Sequence, residues 1–220
     1  MSDQHLPIRV WDLPTRLFHW LVVILLGVSW LTESMNLMDL HFLSGYTLAT
    51  LLLFRLVWGL IGSDTARFAR FMQGPTAAYR HLSRLHRREP DTEIGHNAAG
   101  GWMVLLLLAL LAVQVGTGLC ANDDIDREGP LAKYVGKAWS DRLTELHSIN
   151  FTVLQIVVAL HVVAIAAYAL LKRQDLVRPM VTGWKRMPPG MRAPRMASPL
   201  LAIGVLMVAA LAVYLLAKWG

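Results

Sequence analysis

The sequence predicts an all-α integral membrane protein, a four-helix bundle followed by a fifth C-terminal transmembrane helix. Three observations predict it. The 220 residues are 55% hydrophobic and the mean hydropathy is +0.44, outside the habit of a soluble globule. Five apolar runs are long enough to cross a hydrocarbon core about 30 Å thick. Two ionisable side chains belong to one of those runs, His161 within it and His147 just before its start. Such residues are costly within a membrane and usually mark an ion, proton or cofactor path.

In chain order the apolar runs are 13–31, 41–62, 98–121, 149–171 and 199–217. The first ends Leu31-Thr32-Glu33-Ser34, with no small-residue cleavage site, so it is expected to be a retained span rather than a signal peptide. The formal charge is +6, but the cations lie in loops between the runs, where they orient a membrane protein. Nucleic acid is thereby excluded as the partner. With Arg16 at the start of the first run counted to that side, the segments before the first run and after the second and fourth hold 15 of the 21 Lys and Arg residues, the opposite loops and tail hold 5, and Arg55 lies inside the second run. The positive-inside rule then puts the N-terminus, 62–97 and 172–198 in the cytoplasm and the C-terminus outside. The single cysteine, Cys120, excludes a disulfide, a thiolate-held iron–sulfur cluster and a C-x-x-C-H haem attachment within the chain.

Eight histidines occur. His5, His81 and His86 lie in polar segments, the last two in a basic strip with Arg80, Arg84, Arg87 and Arg88 that reads as a solvated or headgroup-facing surface. The remaining five border or enter spans. His147 and His161 are fourteen residues apart, nearly a whole number of turns, so they share a face about 21 Å apart along the axis, near opposite edges of the hydrocarbon. With the orientation above, His19 lies in the inner half of the first span, His41 at the outer edge of the second, His147 outside and His161 inside. Two depth-matched pairs result, His41 with His147 and His19 with His161. An iron porphyrin takes one ligand on each face, and imidazoles from facing helices of a bundle supply both. The expectation is a haem-binding bundle with two non-covalent haem b groups, these four histidines being the metal ligands. Iron held by two histidines has no open position; it passes single electrons well and binds substrates poorly.

His96 is left over, at the cytoplasmic start of the third span in Gly95-His96-Asn97-Ala98. Two readings stand: a hydrogen bond to a haem propionate or quinone carbonyl, or an interfacial histidine facing headgroups. Arg55, fourteen residues after His41, also has two: pairing with haem propionates, or snorkelling to the cytoplasmic headgroups. Gly27, Gly45 and Gly100 lie one or two turns from His19, His41 and His96, giving a flat macrocycle clearance or bare helices close packing. Trp11, Trp20, Trp102 and Trp184 fall near the expected interfaces, where amphipathic rings are common without any cofactor. The outer loop, 122–145, has a net charge of −2 and room for a short surface helix around Leu131 to Leu143; it is a candidate docking surface or a solvated connector.

The segments Val10-Trp11-Asp12-Leu13-Pro14-Thr15-Arg16-Leu17-Phe18-His19-Trp20, His41 to Tyr46, Phe54-Arg55-Leu56-Val57-Trp58-Gly59 and Glu145-Leu146-His147, with His161, resemble the bacterial cytochrome b561 family. That group includes the b-type cytochrome subunits of membrane nickel–iron hydrogenases. The resemblance covers about residues 8–185 and implies a four-helix core of the bacterial inner (plasma) membrane. In it, two b haems relay electrons between a periplasmic-side redox protein and the quinone pool. Carried over by position, the family's ligands fall on His19, His41, His147 and His161. Residues 186–220 lie outside that core as a basic, proline-rich linker and the fifth span.

The resulting expectation is a di-haem b cytochrome of the respiratory chain, an electron-transfer subunit rather than a stand-alone enzyme. Its partners are a hydrogenase-like subunit or cytochrome c, quinone and membrane lipid. Cofactor contacts beyond the ligands are expected from Arg55, His96 and Asn97, with Arg16 on the quinone side. Two rivals remain. Family relatives include a superoxide oxidase, which here would need Lys133, Lys137 and Arg142 as a cationic path. A haem-free transporter would use the intramembrane histidines for protons or divalent metal.

Overall fold

The computed structural model describes residues 6–84, 86–87, 92–124 and 127–220. His5 and Arg88 of the readings above, and residues 125–126 of the outer loop, lie outside the described residues. In chain order the elements are β1 (Leu6–Arg9), α1 (Leu13–Ser34), α2 (Met38–Ile61), α3 (Phe68–Phe71), α4 (Pro75–Ser83), α5 (Ala98–Gly118), α6 (Ala132–Val135) and α7 (Lys137–Ala167). A π-helical turn, Tyr168–Lys172, continues α7, and α8 (Val177–Thr182), β2 (Trp184–Met187) and α9 (Pro199–Trp219) complete the chain. The helices α1, α2, α5, α7 with its π turn, and α9 are long and apolar enough to cross a membrane. All five expected spans are therefore present as helices. The fourth differs at its start. The polar residues from Lys137 onward form one continuous helix with the apolar run, where a separate surface helix to Leu143 was expected; only the four-residue α6 stands apart. Gly136, at φ 75°, makes the break between them.

The chain divides into two compact units. The first comprises Met1–Leu17, Leu56–Leu106 and Val158–Ala202. Its least expected feature is a two-stranded antiparallel sheet, with Leu6 opposite Met187 and Arg9 opposite Trp184. Ile8, Val10, Trp11 and Met187 form a buried cluster beside it, so Trp11 is a core residue here and not an interfacial one. Gly183 makes this possible: its carbonyl accepts the N–H groups of both Val10 and Trp11, at 2.8 and 3.2 Å. At φ 88° any side chain would be strained, and a Cβ would lie 2.9 Å from the Trp11 carbonyl. Asp12 caps α1, accepting the Thr15 N–H at 2.7 Å and the Trp58 indole N–H at 3.0 Å. The proline-rich stretch before α9 is fixed in the same unit. The Asp64 and Arg195 backbones are joined by the Asp64 N–H, and Ala197 N–H donates to the Ser63 hydroxyl at 2.9 Å.

The second unit comprises Phe18–Arg55, Leu107–Val157 and Ile203–Gly220. Asn36, at φ 57°, makes the tight turn from α1 to α2, and the Leu37 N–H closes it onto the Thr32 carbonyl at 2.7 Å. The loop before α7 is held by polar contacts: Asn122 reaches Ser140 and Thr144, Lys137 pairs with Asp124 and Asp141, and Arg127 pairs with Asp39. Buried polar groups recur inside this unit, among them Ser29, Ser44, Arg55, Gln114, Thr117 and Asn150.

Candidate haem-ligand site

His41 lies in the first turn of α2 and His147 in the third turn of α7. The second unit brings their rings together, with centroids 6.3 Å apart and planes at 77°. A metal–imidazole bond of about 2.0 Å, with about 1.1 Å from nitrogen to ring centre, puts two axial rings about 6.2 Å apart across one iron. The observed spacing is compatible with both rings holding one iron between them.

The tautomers agree with this use. His41 Nδ1 lies 2.9 Å from the Ser29 carbonyl and His147 Nδ1 lies 2.9 Å from the Gln114 carbonyl. A carbonyl only accepts, so each Nδ1–H donates and each Nε2 keeps its lone pair. Metal-bound histidines are commonly oriented in this way. The Gln114 side-chain amide is also 3.0 Å from His147 Nε2; iron and amide are alternatives for that one lone pair. Gln114 is itself held by Asn150, whose amide donates to its Oε1 at 2.7 Å and to the Leu110 carbonyl at 3.0 Å. Thr117 Oγ1 lies 3.1 Å from His147 Nδ1.

Space is distributed to match. A Cβ on Gly45 or Gly27 would meet nothing within 4 Å, so packed protein fills neither position. A Cβ on Gly118 would instead come within 2.8 Å of His147 Cε1, so the bare backbone there lets α5 approach the ring. Arg55 is 2% exposed. Protein encloses its guanidinium, which is therefore not extended toward a lipid surface. These residues fit a b haem: His41 and His147 would hold the iron through Nε2, in His147 by displacing the Gln114 amide, and Gly45, one turn from His41, leaves its side of α2 open.

His161 is half-buried in the first unit, and His19, edge-on to Trp20 at 4.9 Å, belongs to the second. His96 is in the first unit between two aromatic rings, 4.7 Å from each of Trp11 and Phe71. It lines a pocket of about 180 Å³ with Asp64, Thr65, Arg70, Phe71 and Glu93 among its walls. The Arg195 N–H, with the charges of Arg70 and Arg67, holds the Asp64 carboxyl below its usual range against the opposing effect of burial. Asn97 caps α5, its Oδ1 taking the Gly100 N–H at 2.8 Å. A Cβ on Gly100 would sit 3.3 Å from that oxygen, so this glycine serves the cap and not a macrocycle.

Gln114, Thr117, Asn150 and Ser29 were not singled out from the sequence. For Gln114, Thr117 and Asn150 the available signal was a polar side chain three residues from a histidine or from one another beside an apolar run; Ser29 had no such signal. His81 also departs from expectation: it is half-buried and 2.6 Å from the Tyr168 hydroxyl, not part of a fully solvated strip.

The family model for prokaryotic cytochrome b561 matches residues 10–183. A "Probable Ni/Fe-hydrogenase B-type cytochrome subunit" of Azotobacter chroococcum mcd 1 is 26% identical over 219 residues, covering 81% of this chain and 88% of that protein. No solved structure matches the chain. The chain belongs to the prokaryotic cytochrome b561 family, and is a multi-pass membrane b-type cytochrome of electron transfer.

Proposed function

We propose that this cytochrome carries two b haems, one toward each face of the bacterial inner membrane. It passes electrons between a redox protein docked on the periplasmic face and quinone near the cytoplasmic face. His41 and His147 hold the outer haem, and His19 and His161 the inner. The observation that carries the reading is the 6.3 Å spacing of the His41 and His147 rings, with each Nδ1–H committed to a backbone carbonyl.

Haem b supplies a one-electron ferric–ferrous couple, and the side chains do the rest. Ser29 and Gln114 fix ring orientation and keep Nε2 available. The enclosed Arg55 offers a cation to haem propionates. His96, Asn97 and Arg16 lie on the side where quinone exchanges electrons. The N-terminus is cytoplasmic, the C-terminus periplasmic, and the outer partner is a hydrogenase-like subunit or a cytochrome c. The di-haem core spans residues 8–185, and residues 186–220 form the basic, proline-rich linker and the last span.

The rivals find less support. Of Lys133, Lys137 and Arg142, Lys137 is already paired with Asp124 and Asp141, which weakens a cationic path for superoxide. A divalent-metal transporter needs converging protein ligands, and among the described residues no three of His, Cys, Asp and Glu gather. The test uses haem-loaded protein in liposomes containing quinone, reduced from the periplasmic side by an impermeant donor. Quinol should form with the wild type and fail to form with His41→Ala. Quinol formation at the wild-type rate in His41→Ala would contradict the proposal.

A further inference from the structure

We propose that Tyr168 and His81 form a proton relay between the cytoplasm and quinone at the inner end of the bundle, with Asn97 setting its direction. The inference rests on the quinone reading above and adds the route for the protons. Every residue in it belongs to the first unit.

Tyr168 lies seven residues after His161, two helical turns or about 10 Å further along the same face. It is 7% exposed and opens the π-helical turn, a local widening that is frequent at functional sites. Its hydroxyl is 2.6 Å from His81 Nε2 and 3.0 Å from Asn97 Nδ2. The Asn97 amide cannot be turned around, because its Oδ1 already accepts the Gly100 N–H at 2.8 Å. Its NH2 therefore donates to Tyr168, and the Tyr168 proton points to His81. The His81 and Tyr168 rings are nearly parallel, with planes at 14° and centres 6.1 Å apart. The three groups form a chain with a fixed sense: Asn97 to Tyr168 to His81.

A hydrogen-bonded tether from α4 to the π turn would explain packing alone. Three features exceed what a tether requires. The tyrosine is nearly sealed from solvent, whereas His81 is half-exposed on a surface helix whose neighbouring Arg80 is exposed. The chain ends at Asn97, the residue proposed to face quinone. Lys172, also buried, holds its ammonium 5.8 Å from the centre of the Tyr168 ring, where it favours negative charge developing on the phenol oxygen.

The balance is complete. Oxidation of a quinol to a quinone breaks two O–H bonds and sends two electrons, one at a time, to ferric haem. For each electron, the proton leaving the quinol goes to the Tyr168 oxygen while the Tyr168 proton passes to His81 Nε2. His81 then releases a proton to cytoplasmic water. Quinone reduction runs through the same atoms from His81 protonated at Nε2. Histidine suits the water-facing end, since its ordinary pKa lies close to neutrality.

The test is stopped-flow reduction of the haems of the full-length, haem-loaded protein by menadiol, in H2O and in D2O, beside reduction by dithionite. Tyr168→Phe and His81→Gln should keep the wild-type haem content, dithionite-reduced spectrum and dithionite rate. Their menadiol rates should fall about 100-fold, the scale of a lost acid–base group, and their solvent isotope effects should differ from that of the wild type. Added imidazole should restore His81→Gln and leave Tyr168→Phe slow. Menadiol rates within twofold of wild type in both variants overturn the relay while leaving the quinone reading intact. A wild-type protein that dithionite reduces and menadiol does not overturns the quinone reading and the relay with it. If Tyr168→Phe loses haem, His81→Gln and its imidazole rescue decide the matter.

Discussion

Replacing Asn150 with Leu tests how the outer ligand is supported. The side chain is 5% exposed and makes two hydrogen bonds, to Gln114 Oε1 at 2.7 Å and to the Leu110 carbonyl at 3.0 Å. Leucine is similar in size, so the main loss is polar. At about 1 kcal/mol net for each bond, the two contribute about 2 kcal/mol. At about 1.4 kcal/mol per tenfold, this is about a 30-fold weakening, within the range of about 10- to 100-fold seen when groups supporting a metal ligand are removed. The loss should fall on one haem only, because Asn150 ties α7 to the α5 backbone at Leu110, one turn before the Gln114 carbonyl that orients His147. The assay is titration of the apoprotein with haem b, following the Soret band and the reduced α-band, with circular dichroism to confirm helicity. Asn150→Leu should bind one haem as the wild type does and the other about 30-fold more weakly. Two haems bound with wild-type affinities, or both lost together in a fully helical protein, would refute the reasoning.

Gly118→Ala places a methyl 2.8 Å from His147 Cε1; the ring must shift, at a cost of about 1–3 kcal/mol, and the outer haem should weaken or change its spectrum while the other is unchanged. Asp64 gives a pH signature. Its folded carboxyl lies below its unfolded value because of the Arg195 N–H and the neighbouring arginines, so the associated stability is present above the unfolded pKa, about 3.9, and is lost as pH falls through the lower folded value. In thermal melts between neutral pH and pH 3, Asp64→Asn should flatten the acid side of the stability curve; an unchanged slope would remove Asp64 from the explanation.

The bilayer made much of this fold legible. Span length and apolar composition follow from a hydrocarbon core of set thickness, and the helical period puts His147 and His161 on one face. The same logic paired His41 with His147, which the second unit brings to within 6.3 Å between ring centres. The sheet was not legible: Leu6–Arg9 contains Pro7 and no alternation, and its partner lies far along the chain, so only tertiary pairing defines either strand. Reading charges and histidines alone also passed over the neutral polar residues. Gln114 and Asn150 carry no charge to flag them inside an apolar run, yet an unsatisfied amide there would be costly, and that cost drives them together. His81 was assigned to the solvated strip because its sequence neighbours are basic; only the fold brings Tyr168 to it. The start of α7 at Lys137 was missed because a helix continues past the apolar boundary wherever its polar turns find water and partners.

The central claim, two haems each clamped by two histidines, is tested most directly by counting haems in purified protein and in single-ligand variants, by pyridine haemochrome and low-temperature electron paramagnetic resonance. The account predicts two haem b per wild-type chain, both low-spin. His41→Ala and His147→Ala should each lose the same one, and His19→Ala and His161→Ala should each lose the other. One haem per chain, or His41→Ala and His147→Ala removing different signals, would contradict it.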